Sequence, residues 1–91
     1  MKTKIAIIGS TGSVGSTALK VISKNKKNFS VILLVCNSNL KKIFHQIKIY
    51  SPKFIYIKNL NTRNIIKKKI KKKIFFLNNL DDFENFYNKK N

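Results

Sequence analysis

Cysteine occurs once, at Cys36, so the chain can form neither an internal disulfide nor a clustered-cysteine metal site, and that usage suits a reducing compartment. Acidic residues are almost as scarce: three Asp+Glu stand against 20 Lys+Arg, and all three fall at Asp81, Asp82 and Glu84. They read as favourable charges at the start of a short helix; no residue is assigned to a metal or to catalysis. Apolar runs are short, and none approaches the ~20 residues of a membrane span. Lys2, Thr3 and Lys4 lead straight into the first of them, which leaves no room for a signal or transit peptide and makes the cytoplasm the expected compartment. With 91 residues, a complete doubly wound nucleotide-binding domain and a substrate domain do not both fit.

Glycine is the most informative shortage. The chain has three, Gly9, Gly12 and Gly15, spaced three apart within Gly9-Ser10-Thr11-Gly12-Ser13-Val14-Gly15. Ile5-Ala6-Ile7-Ile8 before them reads as a buried strand and Ser16 to Ile22 after them as helix, so the glycines mark a strand-to-helix turn. The first allows the tight turn, the second lets backbone approach a ligand, and the third lets the helix pack closely on the strand. Such a turn directs backbone N–H groups and the positive helix end at one point, where a phosphate or pyrophosphate fits.

Strand and helix signals then alternate along the chain. Strands are expected at 4–8, 29–36, 54–57 and 74–77, and helices at 13–24, 39–50, 63–72 and 81–87, with a frayed polar tail at 88–91. Ser13 or Ser16 is the expected cap of the first helix, whose apolar face is Ala18, Val21 and Ile22; Asn61 or Thr62 is the expected cap of the third, with Ile65, Ile66 and Ile70 inward. Pro52, the single proline, ends the second helix. The alternation predicts an α/β fold, a partial doubly wound, Rossmann-like parallel sheet of about four strands with right-handed crossovers. Residues 1–87 form that partial domain.

An NAD site expects Asp or Glu about 20 residues past the turn, on the ribose 2′-hydroxyl; this chain has neutral Asn37, Ser38 and Asn39, followed by Lys41 and Lys42, which favours a 2′-phosphate and hence NADP. The formal charge of +17 suggests nucleic acid or an anionic membrane surface as a partner. Nineteen lysines to one arginine argue instead for a coding bias toward Lys, Asn and Ile, because bidentate phosphate and base contacts favour arginine. No specific nucleic acid and no membrane is expected. The lysine triplets at 67–69 and 71–73 read as a solvated helix face, His45 as a structural histidine, Cys36 as a small buried apolar residue, and Tyr50, Tyr56 and Tyr87 as core positions.

The stretch from Ile8 to Ser16, with Thr17-Ala18-Leu19, Val21-Ile22, Asn25, Phe29, the strand 31–35, Asn39 and Tyr50-Ser51-Pro52-Lys53, resembles the start of 1-deoxy-D-xylulose 5-phosphate reductoisomerase. The resemblance implies NADPH- and divalent-metal-dependent (magnesium or manganese) isomerisation and reduction of 1-deoxy-D-xylulose 5-phosphate to 2-C-methyl-D-erythritol 4-phosphate, in isoprenoid precursor synthesis, by a homodimeric enzyme. It implies that Thr11, Gly12, Ser13 and Val14 line the pyrophosphate and nicotinamide side, and that Asn37, Ser38 and Asn39 hold the adenosine ribose and its phosphate. The family usually carries Gly-Lys or Gly-Arg before the asparagine, so Asn37-Ser38 removes a cation expected at the 2′-phosphate; Lys26 likewise replaces the usual proline. The family's metal and substrate residues lie beyond residue 91, so the chain is expected to be an N-terminal portion with no turnover by itself. Two other readings stand beside this one: the start of another NADP enzyme, such as a semialdehyde dehydrogenase, and a small basic nucleic-acid-binding module.

Overall fold

A computed structural model describes residues 2–90, with side chains through Asn85. Its elements run β1 (Thr3–Ile8), α1 (Ser13–Ser23), β2 (Phe29–Cys36), α2 (Leu40–Tyr50), β3 (Phe54–Ile57), α3 (Leu60–Lys69), β4 (Phe75–Phe76) and α4 (Asp81–Lys90). The strands form one parallel sheet in the order β1-β2-β3-β4.

That order decides where the helices go. Each right-handed crossover steps the same way across the sheet, so α1, α2 and α3 all land on one face. Leu19, Ile22, Ile43, Ile47 and Ile66 from those helices are buried there with Ile7, Leu34, Ile55 and Ile57 from the strands. The second face carries a smaller cluster of Ile32, Leu33, Val35, Phe54 and Leu77, covered by Phe83 of α4. A bulge adjusts β2 to this division: Ile5 pairs with Val31 but Ala6 with Leu33, so Ile32 is skipped and turns to the second face beside Leu33. On β1 that face is bare, with Ile8 65% exposed.

Several boundaries differ from the sequence expectation, each for a local reason. The cap of α1 is Gly12, with no side-chain hydrogen bond; Ser13 is the first helical residue and Ser16 donates its hydroxyl to the Ser10 carbonyl. The buried face of α1 is Gly15, Leu19 and Ile22, whereas Val21, one hundred degrees around the helix from Ile22, is 56% exposed. Helix α3 begins at Leu60 because Asn59 Oδ1 accepts the Thr62 N–H at 3.0 Å, which places Thr62, Arg63 and Ile66 inward and leaves Ile65 40% exposed. The same helix ends at Lys69, so Lys71, Lys72 and Lys73 lie in the connection beyond it; Lys72 Nζ donates to Ser51 Oγ at 2.7 Å. Strand β4 is shortened to Phe75–Phe76. Helix α4 continues past Tyr87 through Lys90, so only Asn91 of the expected tail lies outside the described residues. The core position expected of Tyr87 lies outside the described side chains.

Candidate functional site

The C-terminal ends of β1, β2 and β3 bring the glycine turn and residues 37–39 to one rim of the sheet, where open α/β sheets bind ligands. The turn is held from three sides. Gly9 takes φ +72°, a left-handed conformation that side chains disfavour, and its carbonyl accepts the Gly12 N–H at 3.0 Å. Ser10, fully buried, donates its N–H to the Val35 carbonyl at 2.9 Å, while its own carbonyl accepts Gln46 Nε2 at 2.8 Å and Ser16 Oγ at 3.2 Å. Gly15 packs so closely that a Cβ there would lie 2.2 Å from the Gly9 carbonyl oxygen and 2.8 Å from Ser10 Cα.

The outer side of the turn is open. Gly12, Ser13 and Val14 are exposed, Val14 to 83%. Because Gly12 brings no side-chain oxygen to the first turn of α1, its leading N–H groups face outward for an anion. Lys42 Nζ reaches the Thr11 carbonyl at 3.3 Å and adds positive charge beside the turn.

Asn37, Ser38 and Asn39 are exposed, but their backbone is fixed by the next βα unit. The Asn37 carbonyl accepts the Asn59 N–H at 2.9 Å, the Ser38 carbonyl accepts Thr62 Oγ1 at 3.2 Å, and Asn39 Oδ1 caps α2 by accepting the Lys42 N–H at 3.1 Å. Asn39 therefore has a structural role that leaves its amide NH₂ for other partners. A crevice of about 410 Å³ opens on the second face, lined by Gly9, Cys36, Asn37, Tyr56, Lys58 and Leu80 among others. The seven residues expected from the sequence thus share one rim, the turn at one end of it and the 37–39 loop at the other.

Sequence reasoning passed over Gln46 and Lys58. The signal for Gln46 was a polar residue at helical spacing on the apolar face of α2, beside Ile43 and Ile47, all three buried. Lys58 follows the apolar run of β3 as Asn37 follows that of β2, the position at which a doubly wound sheet presents its ligand residues.

The remaining candidates stay outside this chemistry. His45 is exposed on α2, and among the described residues no group of three His, Cys, Asp or Glu could hold a metal ion. Cys36 lies beneath the crevice, and burial pushes its thiol up from 9.0 to about 11. We expect native protein at pH 8 to resist a maleimide that labels the urea-unfolded chain rapidly; equal labelling rates would show the thiol accessible. Because the folded chain keeps this proton where the unfolded chain has lost it, the thiol's contribution to stability is intact below pH 9 and is lost as pH rises toward 11.

The fold agrees with relatives found by comparison. The protein-family model for 1-deoxy-D-xylulose 5-phosphate reductoisomerase matches residues 5–87. The chain belongs to the 1-deoxy-D-xylulose 5-phosphate reductoisomerase family. A reductoisomerase from Pelagibacter ubique is 40% identical over 89 residues, which are 97% of this chain and 23% of that protein. One from Buchnera aphidicola is 41% identical over 68 residues, 75% of this chain and 17% of that protein. The chain thus spans less than a quarter of the length of these curated reductoisomerases. Among solved structures, the Zymomonas mobilis reductoisomerase in complex with NADPH superposes with a TM-score of 0.77 at 25% identity, covering 84% of this chain and 20% of that one. A second reductoisomerase structure, at 20% identity and a TM-score of 0.74, shares the fold. Among the described residues, no helix is long and apolar enough to cross a membrane.

Proposed function

We propose that residues 1–87 are the opening of the NADPH-binding domain of a reductoisomerase that converts 1-deoxy-D-xylulose 5-phosphate to 2-C-methyl-D-erythritol 4-phosphate. The observation that carries the reading is the open outer side of the glycine turn within a chain matched by that family over residues 5–87. Thr11, Gly12, Ser13 and Val14 take the pyrophosphate and the nicotinamide side; Asn37, Ser38 and Asn39 take the adenosine ribose and its phosphate. The residues present fit a dinucleotide: exposed backbone with an uncapped helix start suits pyrophosphate, and the amides and hydroxyl of 37–39 suit a ribose.

The described residues do not fit a divalent metal, since they offer no group of three His, Cys, Asp or Glu. The metal, the sugar phosphate and the groups that act on it are assigned to other parts of the homodimeric enzyme. The compartment is the cytoplasm. No specific nucleic acid is a partner, since the charge excess is lysine rather than arginine and the tyrosines with described side chains are engaged within the fold: Tyr50 donates its hydroxyl to the Leu19 carbonyl and Tyr56 lies under Arg63.

Calorimetric titration of the 91-residue chain with NADPH should show saturable binding, and a coupled assay with magnesium and the ketose phosphate should show no NADPH consumption, because half a cofactor site cannot position the reacting groups. Absence of NADPH binding would overturn the assignment of the turn; consumption of NADPH would overturn the division of labour.

A further inference from the structure

We propose that Lys58 supplies the positive charge that makes the adenosine end of this site select a 2′-phosphate, an inference that rests on the dinucleotide reading above. The three residues of the 37–39 loop are neutral, so a phosphate on the ribose there needs a cation from elsewhere in the fold. The sheet register provides it. Cys36 pairs with Ile57, and the ladder runs on past the end of β3, with the Lys58 N–H donating to the Cys36 carbonyl and the Asn59 N–H to the Asn37 carbonyl, each at 2.9 Å. Lys58 and Asn37 are therefore lateral neighbours on adjacent extended segments, whose backbones run about 4.8 Å apart.

Alternation of side chains sets the direction. Cys36 and Ile57 point into the helix-covered core, so Asn37 and Lys58, the next residue on each strand, turn to the opposite face. Both line the same crevice, together with Gly9 at the head of the glycine turn. Lys42 has a different place. It belongs to α2 on the helix-covered side, and its Nζ donates to the Thr11 carbonyl, so its charge serves the phosphate turn common to NADH and NADPH. The chain accordingly divides two cations between two phosphates, Lys42 at the turn and Lys58 at the ribose.

Calorimetric titration of the 91-residue chain and its Lys58→Gln and Lys42→Gln variants, each with NADPH and with NADH, tests this, and circular dichroism checks that the exposed substitutions leave the fold intact. Wild type is expected to prefer NADPH. Lys58→Gln should weaken NADPH about tenfold while leaving NADH within about twofold, the loss of one charge-assisted contact. Lys42→Gln should weaken both dinucleotides alike. If Lys58→Gln lowers both affinities equally, or neither, Lys58 does not select the phosphate and the proposal falls while the dinucleotide reading stands. A loss of NADPH preference in Lys42→Gln alone would move the role to Lys42. Failure of wild type to bind either dinucleotide overturns the dinucleotide reading, and the proposal with it.

Discussion

Gly15→Ala should abolish dinucleotide binding and destabilise the fold by at least the 1–3 kcal/mol typical of overpacking, read as a fall in the urea midpoint and a flat calorimetric titration. The cause is backbone against backbone. The added Cβ would sit 2.2 Å from the Gly9 carbonyl oxygen, 2.8 Å from the Gly9 carbonyl carbon and 2.8 Å from Ser10 Cα, with no flexible side chain among the three to yield. Relief requires α1 to move off β1 or Gly9 to leave its φ of +72°, and the second movement also breaks the hydrogen bond from the Gly12 N–H. Gly12→Ala is the control: its Cβ would lie 3.4 Å from the same oxygen, an ordinary contact, so the midpoint should move little. Equal stability of Gly15→Ala and wild type would show that the turn has slack that its packing denies.

Phe54→Ala should cost about 3–5 kcal/mol, a large part of the 5–15 kcal/mol that holds a domain together. The ring is 1% exposed and meets Phe83 of α4 edge-on at 5.2 Å between centroids, and Phe75 of β4 at 5.9 Å. Such tilted and edge-on pairs add stabilisation beyond the area they bury. Phe54 thus links the middle of the sheet to the last strand and the last helix. Phe54→Leu, which keeps most of the volume and loses the ring contacts, should recover more than half of the loss. In hydrogen exchange, the amides of α4 should open first in Phe54→Ala; protection lost uniformly across the chain would contradict that order.

The fold was legible because its signals are local. Phe29 to Cys36 is apolar but for Ser30, as suits a strand buried on both faces over most of its length, and three glycines in seven residues left one place for a phosphate turn. Helix starts were less legible. Asn59 caps α3 from just beyond the strand pattern of Phe54 to Ile57, and Asn61 and Thr62 offer equally good capping chemistry two and three residues later. Val21 looked inward by type, but the register of α1 is set by Gly15 against the turn, a contact between residues that only the folded chain brings together. The site divided in the same way. Residue types point to the turn and the 37–39 loop as candidates, whereas Lys58 enters the proposed site only through strand pairing that sets it beside Asn37.

The strand order also bears on how the chain is made. Thr3 finds Phe29, Leu33 finds Phe54 and Phe54 finds Phe75, so every strand pairs with the one synthesised just before it. No strand has to wait for a distant partner: each closes on its predecessor through a single crossover helix, the nearest pairing that a parallel sheet allows. Growth can follow translation, each new strand and helix adding to a ledge already laid down, with β1 and its glycine turn in place before the rest has left the ribosome.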